Sequence, residues 1–380
     1  MTARASAWLV LLAITALVPA RAESICVNTD GSGGCLTSLQ AAVDAAGVNE
    51  VVSIAPGTYL PDAPGVITVP RRLVIQGSGR GVTIIDARIV VAYGVRGGTV
   101  SDVTLLDGVF AERGNLYVTR SEIDGGGVSS AFGASGERVI LTDSLITGFP
   151  RYGTIAENLT MLRSSVVGNG GIDGGGVRIL KRGRIMQSTV SGNQSNGSGG
   201  GILISSPGRL VLTDSTVSGN SAAQNGGGVF IEGSSASAPA GAVLRRSTIA
   251  GNSAGVAGGG VYVESDFRSG KLTVEASIVA DNVSPSGADC VSTVPVIAGH
   301  GNLIEDASGC PIVARSHSTV LSLDPLLGPL QDNGGSTETH ALLPGSPALA
   351  QVTSGAFCKS PDQRGIARTA PCDLGAFEAP

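Results

Sequence analysis

Ser188-Thr189-Val190-Ser191-Gly192-Asn193 returns as Ser215-Thr216-Val217-Ser218-Gly219-Asn220 and again as Ser247-Thr248-Ile249-Ala250-Gly251-Asn252. Looser copies flank these three. Ser164 to Asn169 and Ser277 to Asn282 keep both serine and asparagine, whereas Ser121 to Gly126 and Ser144 to Phe149 keep only the serine and the apolar run. A short polar stretch then leads into Gly199-Gly200-Gly201-Ile202-Leu203-Ile204, Gly226 to Ile231 and Gly258 to Val263, with Gly174 to Ile179 as a fourth copy. Internal repetition takes precedence over local propensity, because it names the architecture. Each unit holds short β-branched runs separated by Gly, Asn, Ser and Asp, with no helical period. One unit cannot bury its own apolar side. Coils stacked about 4.8 Å apart, strand over parallel strand, build one continuous core and pair each backbone with the next. The sequence therefore predicts an all-β chain folded as a right-handed parallel β-helix. A propeller blade needs four strands in about 40–45 residues, and leucine-rich repeats need a different, Leu-rich spacing.

Composition agrees. Gly is 57 of 380 residues, 42% of the chain is hydrophobic, 14% is charged and 3% is aromatic, so the core must be thin layers of Val, Ile, Leu and Ala. Glycine is expected at corners, where a left-handed backbone excludes a Cβ. Asn169, Asn193, Asn220, Asn252 and Asn282 are expected to form an internal ladder, because a buried amide must find partners. Arg120, Asp143, Arg163, Gln187, Asp214 and Arg246 each directly precede a repeat serine. They predict an outward column of paired charges. Net charge is −5, and no basic run is longer than Lys181-Arg182-Gly183-Arg184. That argues against nucleic acid and an anionic membrane surface as partners.

The ends are expected to differ from the repeats. Residues 1–22 combine Arg4, an apolar run from Ala7 to Val18 and Ala20-Arg21-Ala22, the build of a signal peptide cleaved before Glu23. The run is too short to span a bilayer, so no transmembrane segment is expected after its removal. The only Trp leaves with it, which removes a tryptophan platform for sugar. Six cysteines in an exported chain predict disulfides, here Cys26 with Cys35, Cys290 with Cys310 and Cys358 with Cys372, although sequence alone allows 15 connectivities. Both ends of a solenoid need covering. Ser38 to Gly47 reads as a short amphipathic helix with Ser38 as N-cap and Gly47 as C-cap, plugging the first coil. The expected organisation is a signal peptide over 1–22, an N-terminal cap and first coils over 23–100, repeats over 101–310 and a C-terminal cap over 311–380.

Cys35 to Val43, Ile54-Ala55-Pro56-Gly57-Thr58-Tyr59 and Ile75-Gln76-Gly77-Ser78-Gly79 resemble the start of bacterial exported β-helix proteins of the CSLREA-domain kind. Asp324 to Leu330, Asp332-Asn333-Gly334-Gly335, Thr339-His340-Ala341-Leu342, Asp362-Gln363-Arg364-Gly365 and Cys372 to Glu378 resemble the choice-of-anchor Q domain. The repeats are similar, more weakly, to those of polymorphic outer-membrane proteins. The resemblance implies a secreted or cell-envelope β-helix, but the chain shows no terminal anchor after Glu378. Release from the cell or residence in the periplasm is the expectation.

The resemblance implies no reaction, so chemistry must come from residues. The leading expectation is a monomeric, non-catalytic protein that presents a rigid, mildly acidic surface for adhesion or polysaccharide contact and takes no cofactor. The alternative is a polysaccharide lyase or glycoside hydrolase on uronate-containing chains, by analogy with the pectate lyases and polygalacturonases that share the predicted fold. A lyase would use Asp102, Asp124, Asp143 and Asp173 to hold Ca²⁺, with Lys181, Arg182, Arg163, Arg178 or Arg184 as base. Gly299-His300-Gly301 reads as the entry to a closing strand, and His340 as a hydrogen-bonded cap residue. His317 has no nameable partner. Loops over Lys181 to Arg184, Ser205 to Arg209, Glu232 to Ala242 and Glu264 to Lys271 are expected to wall one corner.

Overall fold

The computed structural model describes residues 24–62, 65–126, 132–233, 240–264, 271–315 and 320–380. The expected signal peptide over 1–22, His317 and the middles of the two last-named loops lie outside them. The described chain is a parallel β-helix. One strand from each of twelve successive coils, from Gly57–Tyr59 to Val320–Leu321, forms a 12-stranded sheet; a second sheet gathers 20 strands, and a third is the short stack Gln194–Ser195, Ser221–Ala222 and Ser253–Ala254. The 20-stranded sheet is two faces joined. Phe132–Thr142 runs round a corner, pairing with Val109–Ala111 through its first half and Asn115–Thr119 through its second. Tyr152–Leu162 and Val177–Met186 continue this bend.

Inward positions carry the layers that the sequence requires. Val139, Leu159, Gly183, Leu210, Ala242 and Leu272 lie one above the next in register, all buried. Corners are turned as expected: Gly192, Gly219 and Gly251 have φ of 62–66°. In the Gly-Gly-Gly entries the constraint is close approach, since a Cβ on Gly200 would lie 2.4 Å from the Ser221 carbonyl oxygen.

Two polar ladders run the length of the repeats. Each asparagine Nδ2 donates to the Oδ1 of the next: Asn169 to Asn193 at 3.0 Å, then Asn193 to Asn220, Asn220 to Asn252 and Asn252 to Asn282 at 2.9 Å each. A backbone N–H joins every step, as in Asn220 N to Asn252 Oδ1 at 3.0 Å. The serines form the second ladder, which sequence reading did not foresee. The N–H of each serine donates to the hydroxyl one coil on, from Ser121 through Ser144, Ser164, Ser188, Ser215 and Ser247 to Ser277, at 3.1–3.3 Å. Asn302 closes the row by accepting from Ser277 N at 3.1 Å.

The asparagine ladder ends on an acid. Asp289 accepts from Asn282 Nδ2 at 2.8 Å, from Asn282 N at 3.2 Å and from Asp306 N at 2.7 Å. Burial nevertheless pushes its carboxyl up to about 6, outweighing those donors. The folded chain thus holds a proton at Asp289 in a pH range where the unfolded chain has released it. Stability from this group must fall as pH rises from about 4 to 6 and be level above that. We expect the difference in thermal midpoint between the wild type and Asp289→Asn, measured across this range, to slope accordingly. A flat difference would contradict the assignment.

The covers are unequal. Helix Leu39–Ala45 buries Leu39, Ala42 and Val43 over the first coil, with Ser38 Oγ accepting from Ala41 N at 3.0 Å. It ends at Ala46 rather than at the expected Gly47, whose N–H is taken by Glu50 at 2.6 Å. Gln40 donates to the Thr68 carbonyl and accepts from its N–H, blunting the edge strand Val66–Val69. All three expected disulfides are present, with Cα separations of 4.8, 5.7 and 5.9 Å.

The C-terminal region does more than cap. Beyond Leu321 the chain turns back along the outside of the 12-stranded sheet. Leu342, Ala348, Val352, Cys358, Cys372, Leu374 and Phe377 make a second apolar cluster with Ala276, Ile278, Ala280 and Leu303. Gln363 bonds Thr189 and Thr216, His340 Nε2 bonds the Ser218 hydroxyl at 2.8 Å, and Ala376 N donates to Thr248. Outward residues of Thr189–Ser191, Thr216–Ser218 and Thr248–Ala250 are therefore buried, whereas those of Leu145–Thr147 and Ser165–Val167 are half-buried. The Asp-Gln-Arg-Gly and Cys-to-Glu motifs hold this segment together. Arg364 pairs with Asp362 at 2.7 Å and stacks 3.6 Å above the Phe377 ring, while Arg368 reaches Glu378 at 3.1 Å.

Candidate functional site

The column before the serines pairs its charges as predicted, but it is outward only at its start: Asp214 and Arg246 are buried, and Gln187 donates to the Asp362 carbonyl of the C-terminal segment. Asp102, Arg120, Asp143, Arg163, Gln187, Asp214 and Arg246 all hold φ between 46° and 58° and alternate in sign. Arg120 grips Asp102 at 2.6 and 2.7 Å, Arg163 grips Asp143 at 2.7 and 2.8 Å, and Arg246 grips Asp214 at 2.8 Å twice. The Arg120 bond holds the Asp102 carboxyl below the usual range. These residues are occupied with one another.

Of the lyase candidates, that pairing engages Asp102, Asp143 and Arg163. Asp143 is held by Arg163, Asp124 Oδ1 accepts from Gly126 N at 2.8 Å, and Asp173 Oδ1 accepts from Ser198 N at 3.1 Å. The three stand at different corners. Lys181 and Arg182 are brought together, but not in a loop: the expected wall over Lys181 to Arg184 is part of strand Val177–Met186, because the chain rounds the corner there with a bulge in place of a turn. No group of three or more His, Cys, Asp or Glu able to hold a metal ion occurs among the described residues.

The strand puts Lys181 and Arg182 on a face that the sequence did not reveal. Arg138, Asn158, Arg182, Arg209, Gly241 and Lys271 lie in register on six consecutive strands. Arg184 stands two residues along from Arg182, in the row Ile140, Thr160, Arg184, Val211, Val243, Thr273, Ile297 and Val313. Arg315 follows at the end, donating its N–H to Ala298. Arg138, Arg182, Arg184, Arg209, Lys271 and Arg315 are all exposed, and none makes an ion pair among the described residues. The acid on this face, Glu275, is spent on Arg245 at 2.7 Å. The mildly acidic surface expected from the sequence is not uniform: a chain of net charge −5 gathers cations without an ion pair among the described residues on one sheet.

Hollows lie along this face. One of about 260 Å³ sits between Arg209 and Lys271, where Gly241 leaves the column without a side chain. It shares Lys271 and Thr273 with a second of about 560 Å³ that reaches Arg315. A third, of about 420 Å³, occupies the adjoining corner and is lined by Phe110, Glu112, Arg113, Glu137, Glu157 and Lys181. Lys181 Nζ lies 2.7 Å from Glu157 Oε2 there. Guanidinium groups present fixed forks that fit carboxylates or sulfates, so the sheet face can hold a row of anions, and the corner can present acids beside a lysine.

The signal for the basic row was present in the sequence. Arg138, Asn158, Arg182, Arg209, Gly241 and Lys271 each stand six residues before a repeat serine. Reading charge runs along the chain misses a cluster drawn from six coils.

Among solved structures, the chain is similar to pectate lyase Pel9A, at 14% identity and a TM-score of 0.52 over 94% of this chain and 96% of that one. The likeness is one of fold. The Azotobacter vinelandii mannuronan C-5 epimerase AlgE6 A-module matches at 18% identity and a TM-score of 0.41 over 75% of this chain and 93% of that one. No protein-family model and no curated protein matches the chain. No helix of the described residues is long and apolar enough to cross a membrane.

Proposed function

We propose that this is a secreted or cell-envelope protein that holds an acidic polysaccharide against its basic sheet face, as a monomer and without cleaving it. The observation that carries this reading is the row of exposed cations with no anion of their own. The cations of the column before the serines, with Arg364 and Arg368, are matched by carboxylates at 2.6–3.1 Å, whereas Arg138, Arg182, Arg209 and Lys271 stand in one register column with no such match among the described residues, and that concentration points to an external anion. Adhesion to a glycan-coated surface follows from the same contact. Arg182, expected as a lyase base, serves here as a binding group, while Lys181 is paired with Glu157 at the adjoining corner.

A second reading rests on the corner hollow, where Glu112, Glu137, Glu157 and Lys181 line one space beside the basic face. Two carboxylates flanking a bond suit hydrolysis, and a lysine beside a uronate suits elimination. Incubating the mature protein with polygalacturonate, alginate and a neutral glucan, with and without Ca²⁺, separates the readings. We expect retention on the two acidic polymers, none on the glucan, and no change in the polymers. Unsaturated-uronate absorbance or new reducing ends would overturn the non-catalytic reading in favour of the second.

A further inference from the structure

We infer that the ligand of the basic face is a linear polyanion lying along the solenoid axis, across the strands, with its charges in step with the coils. This rests on the reading that the face binds acidic glycan. Direction follows from counting cations along each line. A chain laid along one strand of this face meets at most two unpaired cations, Arg182 and Arg184, because Lys181 of the same strand is paired with Glu157 and Arg178 lies beyond the bend. A chain laid across the strands meets Arg138, Arg182, Arg209 and Lys271 in one column, with Arg184 two residues to one side; Arg315, two strands past Lys271, stands four residues over, level with Arg245, Glu275 and Gly299.

The positions between those cations are Asn158 and Gly241, so no acid interrupts the column. Neighbouring coils stand about 4.8 Å apart, and the five steps from Arg138 to Lys271 span roughly 24 Å. Anionic groups that recur once per sugar, carboxylate or sulfate alike, can meet successive coils without bending the chain. A single exposed ion pair contributes about 1 kcal/mol or less. A mono- or disaccharide therefore gains little, and affinity must come from several contacts made by one chain. Single-stranded nucleic acid carries evenly spaced charge as well, but its binding leans on aromatic stacking platforms. The described residues of these rows include one aromatic, Tyr117, at the far end.

Titration calorimetry of the full mature protein with size-fractionated oligogalacturonates tests this, with a sulfated glycan and poly(dT) as separate arms. The expected result is no detectable binding of di- and trisaccharides, affinity that climbs steeply until the oligomer spans about 24 Å, and little gain beyond. Asn158→Glu, which places an acid in the column on a half-buried strand position, should weaken the long oligomers about tenfold while leaving the thermal midpoint unchanged. Affinity already complete at the trisaccharide, or indifferent to Asn158→Glu in a folded protein, would overturn the axial track yet leave glycan binding standing. Absence of binding to every acidic glycan would remove the underlying reading itself. Tighter binding of poly(dT) than of either glycan would overturn the ligand class, and the carboxylate and sulfate arms decide which anion the row prefers.

Discussion

Asp214→Ala is expected to cost about 3–5 kcal/mol of stability. Asp214 is 4% exposed and receives Arg246 through two bonds of 2.8 Å, with Arg368 a further 3.5 Å from Oδ1. The side chains of Arg246 and Arg368 are 7% and 0% exposed. Without the carboxylate, Arg246 is left with only the Phe357 ring, 5.9 Å from its guanidinium carbon, while Arg368 keeps Glu378 and two carbonyls. A buried cation stripped of its partner carries most of its desolvation cost unrelieved. The contrast is Asp102→Ala. Its partner Arg120 is 55% exposed, so screening by water should hold the loss to about 1 kcal/mol or less. Because Arg368 belongs to the C-terminal segment, Asp214→Ala should also let that segment lift. Thermal denaturation and limited proteolysis near the Cys358–Cys372 disulfide would both report it. Equal effects of Asp214→Ala and Asp102→Ala would contradict the docking described above.

The two charge pairs also show what could be read in advance. The alternation of sign before each repeat serine is a sequence pattern, and register turned it directly into ion pairs. The same holds for the asparagine ladder, because stacking equal positions in a coil leaves a buried amide no other partners. What could not be read is which face the chain's end would cover. Thr189, Thr216 and Thr248 look like solvent-facing strand residues, and their burial depends on Gln363, some 150 residues or more away for the first two. Asp124, Asp143 and Asp173 lie close in sequence, but the coil sets them apart: Asp143 precedes strand Leu145–Thr147, Asp124 is level with that strand's last residue, and Asp173 precedes strand Val177–Met186. The basic face has the opposite character, being dispersed in sequence and contiguous in space.

That face carries the second large prediction. Arg182 and Arg209 occupy adjacent strands at the centre of the row, so Arg182→Glu with Arg209→Glu replaces two attractive contacts by two repulsive ones where a bound polyanion cannot avoid them. Each reversal removes an exposed contact of up to about 1 kcal/mol and adds repulsion of similar size, so affinity should fall by roughly 100-fold or more at low salt. Both positions are exposed and unpaired, and the fold should not suffer. The matched control is Arg151→Glu with Lys359→Glu, exposed cations away from the row that lower the net charge by the same amount. The measurement that decides the matter is the affinity of these two double variants and the wild type for polygalacturonate, each at low and at physiological ionic strength. Selective loss in the Arg182/Arg209 variant, with the control within about threefold of wild type, is the predicted result. Equal loss in both variants would show that only bulk charge matters, and no loss in either would show that the basic face is not where the polysaccharide is held.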